Sequence, residues 1–127
     1  MTDHKSFTFR REPKTVRTAR GLLADLHGKL PKSRLYDATV CLTEIVANAV
    51  QHPRAEGELA LTLALERDRL RVEVTDPGSG FEVEPRADDR EGGWGLQIVE
   101  SLADGWGIEA GERTVVWFEI LRAPHTN

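Results

Sequence analysis

Between Ala38 and Pro53 the chain carries one formally charged residue, Glu44, in a run that is otherwise apolar, small or neutral polar. Apolar side chains recur there at helical spacing and form a wide face. Such a helix needs most of its surface covered, so the segment predicts a largely buried helix from an N-cap at Ser33 to about His52. Pro53 blocks its continuation.

The lone Glu44 is costly in such a helix unless it is paired or takes part in chemistry. Asn48 lies one turn further on, so the two side chains project from the same face. An ordinary exposed stripe on an amphipathic helix would explain this pattern equally well. On this segment alone both interpretations stay open.

The rest of the chain divides into further strands and helices. The patterns predict strands at Lys5–Arg10, Glu58–Glu66, Arg69–Thr75, Trp106–Glu109 and Thr114–Leu121, a helix from Pro13, and a short helix at about Trp94–Ala103. Helices grouped apart from strands favour an α+β fold. We expect a two-layer sandwich in which the helices pack on one face of a mixed, mainly antiparallel sheet. Residues 1–127 are expected to form a single domain.

The composition excludes several classes of protein. The formal net charge of −4 argues against direct binding to nucleic acid, which usually requires a basic surface. The single cysteine, Cys41, excludes an internal disulfide and fits a reducing compartment. The sequence has no signal peptide pattern and no apolar run long enough for a membrane, so we expect a cytoplasmic protein.

A long loop between Asp76 and Gly93 begins with two closely spaced glycines. Gly78 and Gly80 allow the backbone to turn sharply and to approach a ligand closely. Asp76, at the end of the preceding strand, can present a fixed acceptor to an amine or amide donor. A plain turn is the alternative, because Asp, Pro, Gly and Ser are the usual turn residues.

A second glycine-rich segment, Gly92-Gly93-Trp94-Gly95-Leu96, closes the loop and opens a helix. Backbone N–H groups at a helix N-terminus can hold phosphate, helped by the helix dipole. A flexible loop end is the alternative, since one glycine-rich segment is a weak signal.

The order of these three segments is more demanding than any one of them. Glu-x-x-x-Asn on a helix, Asp-x-Gly-x-Gly after a strand and Gly-x-Gly-Leu before a helix resemble the Bergerat-type ATP-binding fold. DNA gyrase, heat-shock chaperone ATPases, histidine kinases and mismatch-repair ATPases share that fold. The helix text LTEIVANAVQH and the ending GLQIVESLADGWGIEAGERTVVWFEI look like those of the anti-sigma-factor serine/threonine kinases.

The resemblance implies ATP and Mg²⁺ as cofactors and gives the motif residues specific roles. Asp76 would accept a hydrogen bond from the exocyclic amine of adenine, with Gly78 and Gly80 allowing close approach of the base. Thr114 matches a family threonine near that carboxylate, although β-propensity explains it equally well. Asn48 would supply an oxygen to Mg²⁺, which takes few protein ligands.

The same resemblance assigns the phosphate side and the reaction. The phosphates would be held by the segment Gly93, Trp94, Gly95 and Leu96. Trp94 is bulkier than this position needs. Glu44 would act as the general base for a hydroxyl that attacks the γ-phosphate.

The resemblance also implies partners. It predicts a kinase that binds a sigma factor and phosphorylates an antagonist protein, and it leaves room for a homodimer. The exposed basic face of the first helix, with Lys14, Arg17 and Arg20, is the expected partner surface, although a solvated basic face would explain these residues equally well. Two alternatives stay open: a nucleotide-gated binding module without phosphotransfer, and the detached ATP-binding domain of a sensor kinase.

Overall fold

A computed structural model describes residues 3–51, 57–76 and 96–123. Within these residues the chain forms β1 (Asp3–Arg10), α1 (Pro13–Ala24), α2 (Lys32–Gln51), β2 (Glu58–Leu65), β3 (Arg69–Asp76), α3 (Leu96–Leu102), β4 (Gly105–Glu109) and β5 (Thr114–Leu121). The bounds of β5 are those predicted from the sequence. None of these helices has the length and apolar character that crossing a membrane requires.

The strands form one five-stranded sheet in the order β1-β2-β3-β5-β4. Each described pairing is antiparallel. The chain connection from β3 to β5 passes through α3 and β4, so these two neighbouring strands are not consecutive in sequence. The predicted α+β fold with helices on one face of a mainly antiparallel sheet is confirmed, although the described pairings contain no parallel component.

The hydrophobic core lies between the sheet and the helices. Alternate residues of β3 and β5 are buried, because successive side chains of a strand point to opposite faces. The helices contribute the other half of the core, with Leu23 of α1 and Leu42 and Ile45 of α2 almost fully buried. These side chains belong to one continuous cluster.

The other face of the sheet is built around Trp117. Its ring lies so close to Gly107 that a Cβ atom there would come within 2.8 Å of the indole nitrogen. The guanidinium of Arg71 stacks on the ring, 4.3 Å from its centre. Glu119 accepts hydrogen bonds from both Arg69 and Arg71, at 2.9 and 3.1 Å. The charges on this face are therefore largely neutralised by one another.

Arg34 fixes the start of α2 against the connection from α3 to β4. Its Nη2 donates to the carbonyl oxygen of Leu102 at 3.4 Å and to Oδ2 of Asp104 at 3.3 Å. The same Asp104 oxygen accepts from the backbone N–H of Leu121 at 2.7 Å. These bonds set the position of α2, which carries two of the predicted site residues.

Three local predictions need correction. The helical spacing through Leu26 and Leu30 continues beyond α1, which ends at Ala24; both leucines are still buried, from a turn in which Gly28 has a φ of +88°. Ser33 lies inside the first turn of α2 and is not its N-cap. The helix α2 is exposed near its start, with Tyr36 68% exposed, whereas the predicted burial holds from Ala38 to Val50, where each residue is buried or half-buried.

Candidate functional site

Helix α2 presents Glu44 and Asn48 from one side, as their spacing requires. Both residues are half-buried, whereas Cys41, Ile45 and Ala49 face the core and are buried. Glu44 therefore lies beside the core and not within it. Neither interpretation left open by the sequence holds in full, because Glu44 is neither buried nor exposed, and burial alone does not make it unusual.

Cys41 lies on the buried side of this helix, and its thiol has a raised pKa. Burial, with a smaller contribution from the carboxylate of Asp37, raises the pKa of the Cys41 thiol to about 12. The thiol is therefore protonated near neutral pH, and a protonated thiol is a poor nucleophile. Cys41 belongs to the packing of α2 and not to the chemistry of the site.

Asp76 and Thr114 form a buried polar pair at one end of the sheet. Asp76 is the last residue of β3 and Thr114 is the first residue of β5, and they lie directly opposite each other across the two strands. Both are almost fully buried, at 3% and 4% exposed. A buried carboxylate at the end of a strand requires polar partners, because an isolated charge in such a place is strongly unfavourable. The sequence predicted both residues for one site, and the fold brings them together.

Arg11 supplies the charged partner of Asp76. The guanidinium Nη2 forms an ion pair with Oδ1 of Asp76, and both side chains are nearly inaccessible to solvent. The other terminal nitrogen, Nη1, donates to the carbonyl oxygen of Ala49 at 2.8 Å. Arg11 was not predicted as a site residue, because it follows Arg10 at the end of a strand and such charged side chains usually lie in solvent.

The remaining predicted site residues lie mainly outside the described residues. These are Gly78, Gly80, Gly93, Trp94 and Gly95. Leu96 is the first residue of α3 and is half-buried against the core. The described part of the site therefore consists of the α2 side chains and the buried end of β3 and β5.

A groove runs between α1 and α2. It is lined by Arg17, Arg20, Gly21, Ala24, His27, Lys32, Leu35, Tyr36, Thr39, Val40, Thr43 and Glu44. Three of these residues are cationic, and the exposed ring of Tyr36 adds apolar surface. Glu44 thus shares a surface with Arg17 and Arg20, which the sequence predicted as a partner surface.

Comparison with known proteins places this geometry in context. Residues 9–120 match the family model of the histidine kinase-like ATPase domain. The serine-protein kinase RsbW of Bacillus subtilis (strain 168) is 32% identical over 84 residues, which are 54% of this chain and 52% of that protein. RsbW of Oceanobacillus iheyensis is 27% identical over 111 residues, 73% of this chain and 70% of that protein. Against the first of these relatives, the match spans about half of the relative's length.

Solved structures show the same fold. The RsbU and RsbW domains of a Mycobacterium tuberculosis protein superpose with a TM-score of 0.73 at 24% identity, covering 96% of this chain and 33% of that chain. A chain of the SiaB–SiaC complex from Pseudomonas aeruginosa superposes with a TM-score of 0.62 at 13% identity, covering 92% of this chain and 89% of that chain. At these identities the likeness concerns the fold alone.

Proposed function

Because the chain belongs to the histidine kinase-like ATPase domain family, we propose that it is an ATP-binding serine/threonine protein kinase that binds a sigma factor and phosphorylates an antagonist protein. The observation that carries this proposal is the buried pair of Asp76 and Thr114, at the place where the resemblance puts adenine recognition. The similarity to serine-protein kinases supports the choice of reaction. We also propose that residues 1–127 form one ATPase domain. The cluster of buried apolar side chains among the described residues, which joins the helices to the sheet, supports this.

The described residues fit an adenine nucleotide. A carboxylate is an acceptor only, so Asp76 suits the exocyclic amine of adenine and disfavours a carbonyl at the same position. It keeps this capacity while bound to Arg11, because an ionised carboxylate accepts several hydrogen bonds. We propose that the Gly93–Leu96 segment holds the phosphates. Its first three residues lie outside the residues that the structure describes.

The described residues also fit a magnesium ion that is held mainly by phosphate. They contain no group of three or more His, Cys, Asp or Glu side chains that could form a metal site of their own. Asn48 offers one neutral oxygen, and Mg²⁺ commonly takes one or two protein ligands together with phosphates and water. Bound there, the ion would neutralise charge on the phosphates.

Glu44 is the proposed general base. A serine hydroxyl of the antagonist protein would form a bond to the γ-phosphorus while its proton passes to a carboxylate oxygen of Glu44. The bond between the γ-phosphorus and the bridging oxygen would break, and ADP would leave. The half-buried position of Glu44 on the wall of the groove supports this role, because an incoming hydroxyl can reach it from outside.

The groove between α1 and α2 is the proposed partner surface. Arg17, Arg20 and Lys32 give it positive charge, and Tyr36 gives it an exposed ring. Tyr and Arg are the residue types enriched at protein interfaces. An acidic segment of a sigma factor or of the antagonist would complement this surface.

A binding module that sequesters its partner without phosphotransfer is the second candidate function. The groove favours it, because the same surface could hold a partner whether or not Glu44 performs chemistry. The detached ATP-binding domain of a sensor kinase is the third candidate, and it would require a histidine-bearing partner chain.

Phosphotransfer to candidate antagonist proteins, followed by mass spectrometry of their serines in Mg-ATP, separates these functions. We expect serine phosphorylation by the wild-type protein and a loss of roughly 10²–10⁴-fold in rate for Glu44→Gln. Glu109→Gln, an exposed residue at the edge of the sheet, is the matched control and should keep the full rate. Nucleotide binding without phosphotransfer would favour the sequestering module, and full activity of Glu44→Gln would refute the assignment of the base.

A further inference from the structure

The guanidinium of Arg11 joins three elements at one buried point. Arg11 follows the end of β1, its Nη1 binds the carbonyl oxygen of Ala49 in the last turn of α2, and its Nη2 pairs with Asp76 at the end of β3. Its side chain is only 6% exposed. Arginine is rarely buried to this extent unless it is paired, so the position has a specific cause.

The backbone around Arg11 is held so that the side chain points inward. The hydroxyl of Thr15 donates to the carbonyl oxygen of Arg10, and the N–H of Thr15 donates to the carbonyl oxygen of Glu12 at 2.8 Å. Thr15 itself is buried. The turn from β1 to α1 is therefore fixed on both sides of Arg11.

The two contacts of Arg11 reach toward both ends of the proposed nucleotide site. Asp76 is the proposed acceptor for the base, and Ala49 directly follows Asn48, the proposed magnesium ligand. The carbonyl groups in the last turn of a helix lack partners within the helix and carry partial negative charge, so a cation there is favourable. One side chain thus holds the last turn of α2 and the carboxylate of Asp76 in a fixed relation.

We infer that Arg11 is a positioning residue for Asp76 and that it sets the selectivity for adenine over bases with an oxo group at the same position. This inference rests on the proposed function. Arg11 holds one carboxylate oxygen, so the carboxylate cannot rotate freely and meets the base in one orientation. A carboxylate in that orientation accepts from the amine of adenine and repels the oxo group of hypoxanthine. Without Arg11 the carboxylate loses one restraint on its orientation, and discrimination between the two bases falls.

Calorimetric binding of ADP and IDP in Mg²⁺ tests this inference, because the two ligands share their phosphates and differ at the base position that Asp76 would face. Wild type should prefer ADP by about tenfold or more, the value expected for a hydrogen bond to a charged group. Arg11→Gln should lose most of that preference by losing ADP affinity. Arg11→Lys, which keeps the charge, should retain part of it and serves as the second variant if Arg11→Gln does not fold.

The ratio of the two affinities separates positioning from stability. If Arg11→Gln or Arg11→Lys lowers the melting temperature and leaves the ADP-to-IDP ratio at the wild-type value, Arg11 is merely structural and the inference is wrong. A wild-type protein that prefers ADP would still support the proposed function in that case. A wild-type protein that binds neither nucleotide would overturn both.

Discussion

Single residues of the site differ in how deeply they lie. Asp76 and Thr114 are enclosed, with Arg11 against the carboxylate, while Glu44 and Asn48 stand half-buried on α2. The first set can fix a ligand group away from water, where electrostatic interactions are strong. The second set can meet groups that arrive from solvent. This division matches the proposal that adenine is bound at Asp76 and that phosphotransfer occurs near Glu44.

Asn48 and Glu44 should fail in different ways when they are replaced. Asn48→Ala removes the proposed magnesium ligand, so ADP should bind substantially more weakly in Mg²⁺, and adding a chelator should change its affinity less than in wild type. Glu44→Gln is the control from the same helix face and should bind ADP as wild type does. Isothermal titration calorimetry measures both. Equal ADP affinity of Asn48→Ala and wild type in Mg²⁺ would remove Asn48 from the site.

The contribution of Arg11 shows what sequence patterns miss at this scale. Asp76, Asn48 and Glu44 stand in motifs whose order resembles that of the Bergerat-type fold, and this resemblance singled them out. Arg11 pairs with a residue far along the chain, and only the folded sheet brings the two together. The sequence left the exposure of Glu44 open for a related reason: the absence of neighbouring charges does not reveal which side of a helix a groove leaves accessible.

Among the elements, strands were predicted more accurately than helix ends. The period-2 alternation of Arg69–Thr75 predicted β3 to within one residue, because its apolar positions are the ones that face the core. The end of α1 was predicted too late in the sequence. Leu26 and Leu30 lie after the helix, but both are buried and continue its helical spacing. Tertiary packing therefore overrides the local signal where a chain leaves a helix and stays in the core.

Strand β4 depends on a glycine beneath Trp117. A Cβ atom at Gly107 would lie 2.8 to 2.9 Å from three atoms of the indole ring, so the ring would have to move. Gly107→Ala should therefore destabilise the fold by about 1–3 kcal/mol, the usual cost of overpacking. Gly105→Ala is the matched control in the same strand, because the nearest side-chain atoms, those of Trp117 and Glu119, would lie 3.8 Å from its Cβ atom. Urea denaturation measures both, and equal midpoints would contradict this account of β4.

Helix α1 should contribute to partner binding but not to nucleotide binding. The double substitution Arg17→Glu and Arg20→Glu reverses the charge of the groove and should weaken partner affinity by about tenfold or more. ADP affinity should be unchanged, because both residues line the groove between α1 and α2 and neither belongs to the buried group of Arg11, Asp76 and Thr114. Surface plasmon resonance with the purified sigma factor or antagonist provides the measurement.

A second pair of substitutions controls for total charge. Arg67→Glu with Arg113→Glu changes the net charge equally, and both residues are exposed in turns outside the groove. This control should leave partner affinity unchanged. If both double variants bind the partner equally, the groove between α1 and α2 is not the partner surface.

On the scale of the whole molecule, the arrangement of layers follows from the sequence, while the partners do not. One face of the sheet is covered by helices and the other holds a neutralised network around Trp117. The family match spans residues 9–120, so the ATPase fold accounts for most of the chain. Partner identity depends on surface chemistry, which periodicity does not describe.

Thermal unfolding in Mg-ADP tests the central claim, nucleotide binding at the Asp76 site, most directly. At a concentration one hundred times its dissociation constant, a ligand that binds only the folded state stabilises it by about 2.7 kcal/mol. For a chain of this size the melting temperature should rise by roughly 10 °C. Asp76→Asn, compared with its own ligand-free melting temperature, should lose most of that rise. A wild-type melting temperature that millimolar Mg-ADP leaves unchanged would contradict the account.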